Sequence, residues 1–240
     1  MNIFEKTYLS IINESKDDKP LTFTAKKSNS TINLITDSSP VIDGLQYRLN
    51  ENDDWQRYEL GTEIELKNVG DYVQFQNTNT ELSTGYDDFV YFEMTGKIAG
   101  SGNIQSMLNY STSCTPYCYF CMFRDCTSLT ETPELSAINL ANHSYADMFN
   151  GCINLTNAPE LPATILAKSC YESMFAHCKN LIKAPALPAT ILANGCYYGM
   201  FYDCISLTEA PELPAGELAD YCYDHMFDGC TSLNNNPLED

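Results

Sequence analysis

Eleven cysteines and three histidines are the side chains with the most chemistry to offer in this 240-residue sequence. The densest run, Cys196-Tyr197-Tyr198-Gly199-Met200-Phe201-Tyr202-Asp203-Cys204, has the residue types of a metal or reactive-thiol motif, and His177 stands directly before Cys178. A cysteine nucleophile needs a base within hydrogen-bond reach and a third group that orients the base. A structural zinc site needs closely spaced Cys and His ligands. Neither pattern is met. The histidines, His143, His177 and His225, are scattered. No glycine-rich phosphate loop or paired-histidine helix motif occurs, and no one pair among the many carboxylates is marked out as acid and base. An odd cysteine count argues against a closed disulfide framework. The sequence therefore reads as a protein without an active site, catalytic metal or cofactor.

The run at 196–204 is one copy of a longer phrase. Met-Phe recurs at 122, 148, 174, 200 and 226, a period of 26 residues. Tyr keeps the same beat at 119, 145, 171, 197 and 223, and Cys at 126, 152, 178, 204 and 230. Leu follows at 129, 155, 181, 207 and 233, and Pro at 133, 159, 185, 211 and 237. A second column holds Cys118, Ser144, Cys170, Cys196 and Cys222. Fixed apolar letters at such a period mark stacked units that bury their repeated side chains against one another. The periodic cysteines are then free thiols used as small apolar filler. Cys178 faces inward while His177, at a variable position, faces out, so the two cannot act as a catalytic pair.

Within a unit, Leu181-Ile182-Lys183-Ala184-Pro185-Ala186-Leu187-Pro188 reads as an extended segment closed by a turn, since proline restricts its own backbone and that of its predecessor. In 190–201, apolar residues at 192, 193, 196, 197, 200 and 201 have the three-and-four spacing of a helix. Strand plus short helix is the construction of a leucine-rich-repeat horseshoe. The fold expected is two-domain α+β: an N-terminal β-sandwich, then a leucine-rich-repeat solenoid of 26-residue repeats. What varies between units is expected to form rows on the surface. The candidate binding residues are Arg124, Asn150, Glu172, His177, Lys183, Tyr198, Tyr202, Asp203, Glu209, Asp224 and His225.

Four regions must position that surface. Residues 1–20 comprise an apolar stripe (Ile3, Phe4, Tyr8, Leu9, Ile11, Ile12) at helical spacing and a polar linker. The stripe suits packing on its own domain or docking to a partner or another copy. Residues 21–95 alternate with period two. Leu21–Ala25 and 31–35 are joined by a Lys-Ser-Asn-Ser turn, 45–49 and 55–58 flank a polar turn, and 63–66 leads through Val69-Gly70-Asp71 into 72–75. Phe89–Met94 is a further strand, and this spacing implies a β-sandwich. The acidic turn with Glu51, Asp53 and Asp54 lacks the ligand order of a calcium loop. Trp55 is expected in the core. Residues 96–116 are the joint, whose apolar positions at 104, 107 and 108 cap the first unit, and residues 117–240 are the repeats.

With 13 basic against 32 acidic side chains, the formal charge is −19. Such a field repels a phosphate backbone and excludes non-specific nucleic-acid binding. No apolar run is long enough to span a bilayer, so membrane insertion is not expected. Met1–Tyr8 does not read as a signal peptide, because it lacks a basic leader and Glu5 interrupts its apolar residues.

The phrase Leu-Pro-Ala-Thr-Ile-Leu-Ala-x-x-Cys-Tyr-x-x-Met-Phe-x-x-Cys-x-x-Leu, at 161–181 and 187–207, resembles the BspA-like leucine-rich-repeat proteins of bacteria. The resemblance covers the repeats and departs at Leu135-Ser136-Ala137 and at Ser144. It implies a right-handed solenoid, no catalysis, and adhesion to a protein or glycan ligand at a cell surface, in a secreted form or on a virion. A second expectation is a structural role, as a phage decoration or fibre protein or other assembly component. That role would dock, or self-associate as a homo-oligomer, through the N-terminal region.

Overall fold

The computed structural model describes residues 19–36, 38, 42–50 and 53–238. The apolar stripe of 1–15, nearly all of the linker, and Glu51 of the acidic turn lie outside the described residues. Among the described residues, nine strands and a single 3₁₀ turn make up the regular structure. Strands β1 (Leu21–Ala25), β3 (Leu45–Arg48), β4 (Gln56–Arg57), β6 (Tyr72–Asn77), β8 (Ile98–Ser101) and β9 (Leu129–Glu131) form one sheet in the order β4-β3-β6-β1-β8-β9. Strands β2 (Ser30–Ile35), β5 (Ile64–Leu66) and β7 (Tyr91–Thr95) form the other, ordered β5-β2-β7. Strict alternation puts Leu21, Phe23 and Ala25 on the inside of the first sheet, and Ile32 and Leu34 on the inside of the second. Between the sheets Phe23, Phe75 and Phe92 meet edge to face, with centroids 4.9–6.1 Å apart.

Two of the turns expected between strands are corners that change sheet. β1 pairs with β6 and β8, while β2 pairs with β5 and β7, so the turn between β1 and β2 carries the chain from one sheet to the other. The turn at 69–71 does the same between β5 and β6. Among the described strands, β3 and β4 alone form a local hairpin. Trp55 is half-buried outside the strands, with the Arg48 guanidinium 4.6 Å over its ring, rather than in the core.

The expected α+β leucine-rich-repeat solenoid is overturned. Among the described residues there is no α-helix, and β9 is the one strand of the repeat region. Each repeat builds a tier of consecutive tight turns: 116–125, 142–151, 168–177, 194–203 and 220–229. In the first, the N–H groups of Phe120, Met122, Arg124 and Cys126 donate to carbonyls three residues back. The alternate N–H groups, of Tyr117, Tyr119, Cys121, Phe123 and Asp125, donate to carbonyls 25 residues ahead, in the second tier, at 2.7–3.1 Å. The reason lies in the backbone. Every fourth residue is left-handed: Tyr117, Cys121 and Asp125, then His143, Asp147 and Gly151, then Ser169, Ser173 and His177, and so on to Tyr221, His225 and Gly229. A left-handed residue at that frequency ends any run of helical bonds and turns half of the N–H groups toward the neighbouring tier. Non-glycine residues adopt this conformation at a cost of roughly 1–2 kcal/mol each. Inter-tier hydrogen bonds and ring stacking offset that cost.

Stacking is what the fixed letters do. Tyr119, Tyr145, Tyr171, Tyr197 and Tyr223 stack at 5.3–5.9 Å with planes 5–11° apart. Phe123, Phe149, Phe175, Phe201 and Phe227 form a second column at 5.3–5.8 Å. The thiols of Cys152, Cys178, Cys204 and Cys230 each donate to a Phe carbonyl of the preceding tier, at 3.0–3.1 Å. Cysteine suits this column because it packs like a small apolar residue yet carries one weak donor.

The two halves share one apolar core. Phe92 of β7 stacks on Phe123 at 5.4 Å, and its N–H donates to the Met122 carbonyl. Residues 98–101, read as part of a joint, are β8, which lies between β1 and β9 and pairs with β9 in parallel. The 3₁₀ turn Ile104–Leu108 lies over the first tier, where the Tyr119 hydroxyl donates to Gln105 Oε1 at 2.6 Å.

Candidate functional site

One row of repeat positions shows how the surface is made. Residues 120, 146, 172, 198 and 224 are equivalent, yet Phe120 and Ala146 are buried, Glu172 and Tyr198 half-buried, and Asp224 exposed. The cover at the head is the segment 83–90. Tyr86 meets Phe120, Tyr117 and His143 at 4.9–5.1 Å, and Phe89 meets Phe120 at 5.1 Å. The Tyr86 hydroxyl lies 2.9 Å from His143 Nδ1, and His143 stacks flat on Tyr117 at 4.9 Å. Burial holds the His143 imidazole below its ordinary pKa, against the pull of the Glu172 carboxylate 3.7 Å away. This cluster is structural, and the apolar Phe120-Cys121 pair, which breaks the polar habit of the row, was its signal in the sequence.

Beyond the second tier the same row comes free. Tyr198 stands edge to face with His225, and Tyr202 with His177, both at 5.4 Å. With Asn150, Ser173 and Asp228 they line a recess of 370 Å³ across tiers two to five. His177 Nδ1 lies 3.2 Å from Asp203 Oδ2, and His225 Nδ1 lies 2.6 Å from Asp228 Oδ2. The hydrogen bond to Asp228 raises the His225 pKa. The floor is Gly199, left-handed at φ +56°, where an added Cβ would approach Ser173 Oγ to 3.3 Å.

Of the residues expected to bind, the structure brings Asn150, His177, Tyr198, Tyr202 and His225 together here, with Asp203 holding His177. Asp224 is exposed beside them, its carbonyl taken by the Gly199 N–H. The others lie elsewhere. Glu172 belongs to the His143 cluster. Arg124 lies at the head, 3.8 Å from Asp125, on a groove beside β7. Lys183 and Glu209 form one parallel bridge on another face, along a proline-lined groove of 660 Å³. That groove, with Pro159, Pro185 and Pro211 in register, was visible as a proline period but read only as a set of turns.

All eleven cysteines are free and ten are buried. Burial pushes Cys178 up to about 12 and Cys196 up to about 11, so both are neutral thiols at physiological pH. Among the described residues no group of three or more His, Cys, Asp or Glu side chains is arranged to hold a metal. No helix among them is long and apolar enough to cross a membrane. Set against protein-family models, curated proteins and solved structures, the chain finds no match.

Proposed function

We propose that this is a non-enzymatic binding protein that recognises a protein or glycan ligand through the exposed rows of its stacked tiers. The observation that carries the reading is the division between fixed and variable letters. The fixed Tyr, Met, Phe and Cys columns are buried in the stack, save half-buried Tyr223 and Cys230 in the last tier, while variable residues gather at the 370 Å³ recess around His177, Tyr198, Tyr202 and His225. A rigid scaffold presenting changeable side chains in register suits extended recognition surfaces. The phrase's resemblance to BspA-like proteins points the same way, toward binding without catalysis. The buried Cys178 thiol, its pKa raised by burial while its neighbour His177 is exposed, supports reading that pair as no nucleophile and base.

The test is a screen of the whole chain against arrayed extracellular proteins and glycans, repeated with Tyr198→Ala/Tyr202→Ala. Binding that the double variant abolishes, with the fold intact by circular dichroism, is the expected result. Ligands whose binding ignores every residue between 120 and 235 would remove the recognition role from the tiers.

A further inference from the structure

We propose that the recess across the tail tiers is a saccharide site, taking one or two neutral sugar units. The inference rests on the recognition role above and names its ligand class.

Four features converge on it. A cavity of 370 Å³ falls within the range of small-molecule sites. Two aromatic pairs, Tyr198 with His225 and Tyr202 with His177, are fixed with their planes 74–76° apart. They offer flat and edge-on π surfaces to the C–H faces of a sugar ring. The hydroxyls of Ser173, Tyr198 and Tyr202 engage no protein group among the described residues, leaving donors and acceptors for a ligand rich in hydroxyls. Asp228 is anchored by one contact to His225, which leaves acceptor capacity on its carboxylate for sugar O–H groups.

The same chemistry argues against the alternatives. Asp203, Asp224 and Asp228 stand at or beside the recess in a chain of charge −19, so sialylated, sulfated or phosphorylated ligands are repelled. A protein partner draws most of its affinity from a few large anchors near the centre of the interface, in well-packed, desolvated pockets. This recess is lined by half-exposed rings bordered by hydroxyl, imidazole and carboxylate groups, so its polar edge stays hydrated. Gly199 keeps the floor clear, since a side chain there would press on Ser173.

The experiment is an NMR titration of the ¹⁵N-labelled full chain with maltose, cellobiose, lactose and chitobiose, with sialyllactose and a sulfated disaccharide as anionic members. A neutral sugar is expected to shift the amides of Gly199, Tyr202 and His225. Tyr202→Ala should weaken that binding at least tenfold, and Lys183→Ala, on the other face, should leave it unchanged. Tyr202 is exposed, so its loss should spare the fold, and the unchanged spectrum of the core amides checks this. The saccharide assignment falls if no neutral sugar moves these resonances, if the anionic sugars bind more tightly, or if Tyr202→Ala has no effect. A protein ligand that shifts the same three amides would overturn the saccharide assignment and leave the recognition role standing. Failure of both classes to act at these amides would remove both.

Discussion

The head and tail of the stack are built from the same phrase and put to opposite uses. At the head, Tyr86 and Phe89 reach across from the sheet region and bury Phe120, Cys121 and Ala146. At the tail, the equivalent positions carry Tyr198 and Asp224 and meet solvent. Histidine shows the contrast in one residue type: His143 is buried between Tyr117, Tyr86 and Glu172, whereas His177 and His225 are exposed beside single aspartates. A stack thus sets where side chains stand, and what covers a tier decides whether they hold the protein together or remain available.

The largest effect should come from the shared columns. Phe175 stacks on Phe149 at 5.6 Å and Phe201 at 5.8 Å. Phe175→Asp would place a charge between two rings, and the expected loss is on the order of 4 kcal/mol or more, enough to unfold several tiers. Phe227 has one ring neighbour in its column, at 5.8 Å. Truncation to alanine should therefore cost less at Phe227 than the roughly 3–5 kcal/mol expected at Phe175. Lys183→Asp, on the exposed face, should stay within about 0.5 kcal/mol. Urea denaturation of the four variants checks the order.

Next in size is the head cover. Tyr86→Ala removes the contact with His143 and three ring contacts, and should destabilise by about 1–2 kcal/mol. Tyr202→Ala should change stability far less while weakening ligand binding at least tenfold. Equal losses of stability at the two sites would break the contrast.

Much of the stack was legible because side-chain spacing along a chain is the same whichever backbone carries it. The Tyr, Phe and Cys columns follow from the period alone. The backbone does not, because helices and consecutive turns both put residues three and four apart on one side. At the left-handed positions that decide between them, the glycines (Gly151, Gly195, Gly199, Gly229) and the Asp and His residues favour that conformation, but Tyr117, Cys121, Ser169 and Tyr221 carry no such signal in sequence. In the sheets, Gly70 and Asn29 announce turns, but nothing local says that the next strand joins the other sheet. The recess residues were legible as variable letters among fixed ones. Glu172 and Arg124 fell elsewhere because the cover comes from 83–90, far away in sequence.

A smaller effect concerns Ser144, which replaces a cysteine in its column. Its Oγ and the Tyr145 hydroxyl are buried without a well-formed hydrogen bond, beside the weakly bonding Cys114 thiol. An unsatisfied buried hydroxyl costs roughly 1–3 kcal/mol. Ser144→Cys should therefore raise stability by about 1 kcal/mol, read as an increase in melting temperature. Ser144→Asn, larger and still polar, should lower it.

The contrast between head and tail is tested most directly by following the three imidazoles through a pH titration by NMR. Burial lowers the His143 pKa, so its stabilising contribution is complete above the unfolded value of about 6.5 and is lost as pH falls through the lower folded value. His225, bonded to Asp228 in full exposure, is raised instead. The account predicts that His143 titrates below 6.5 and His225 above it, and that the Tyr86→Ala variant brings His143 back toward 6.5. Titration of His143 at or above His225, or no response of His143 to the loss of Tyr86, would contradict a covered head and an open tail.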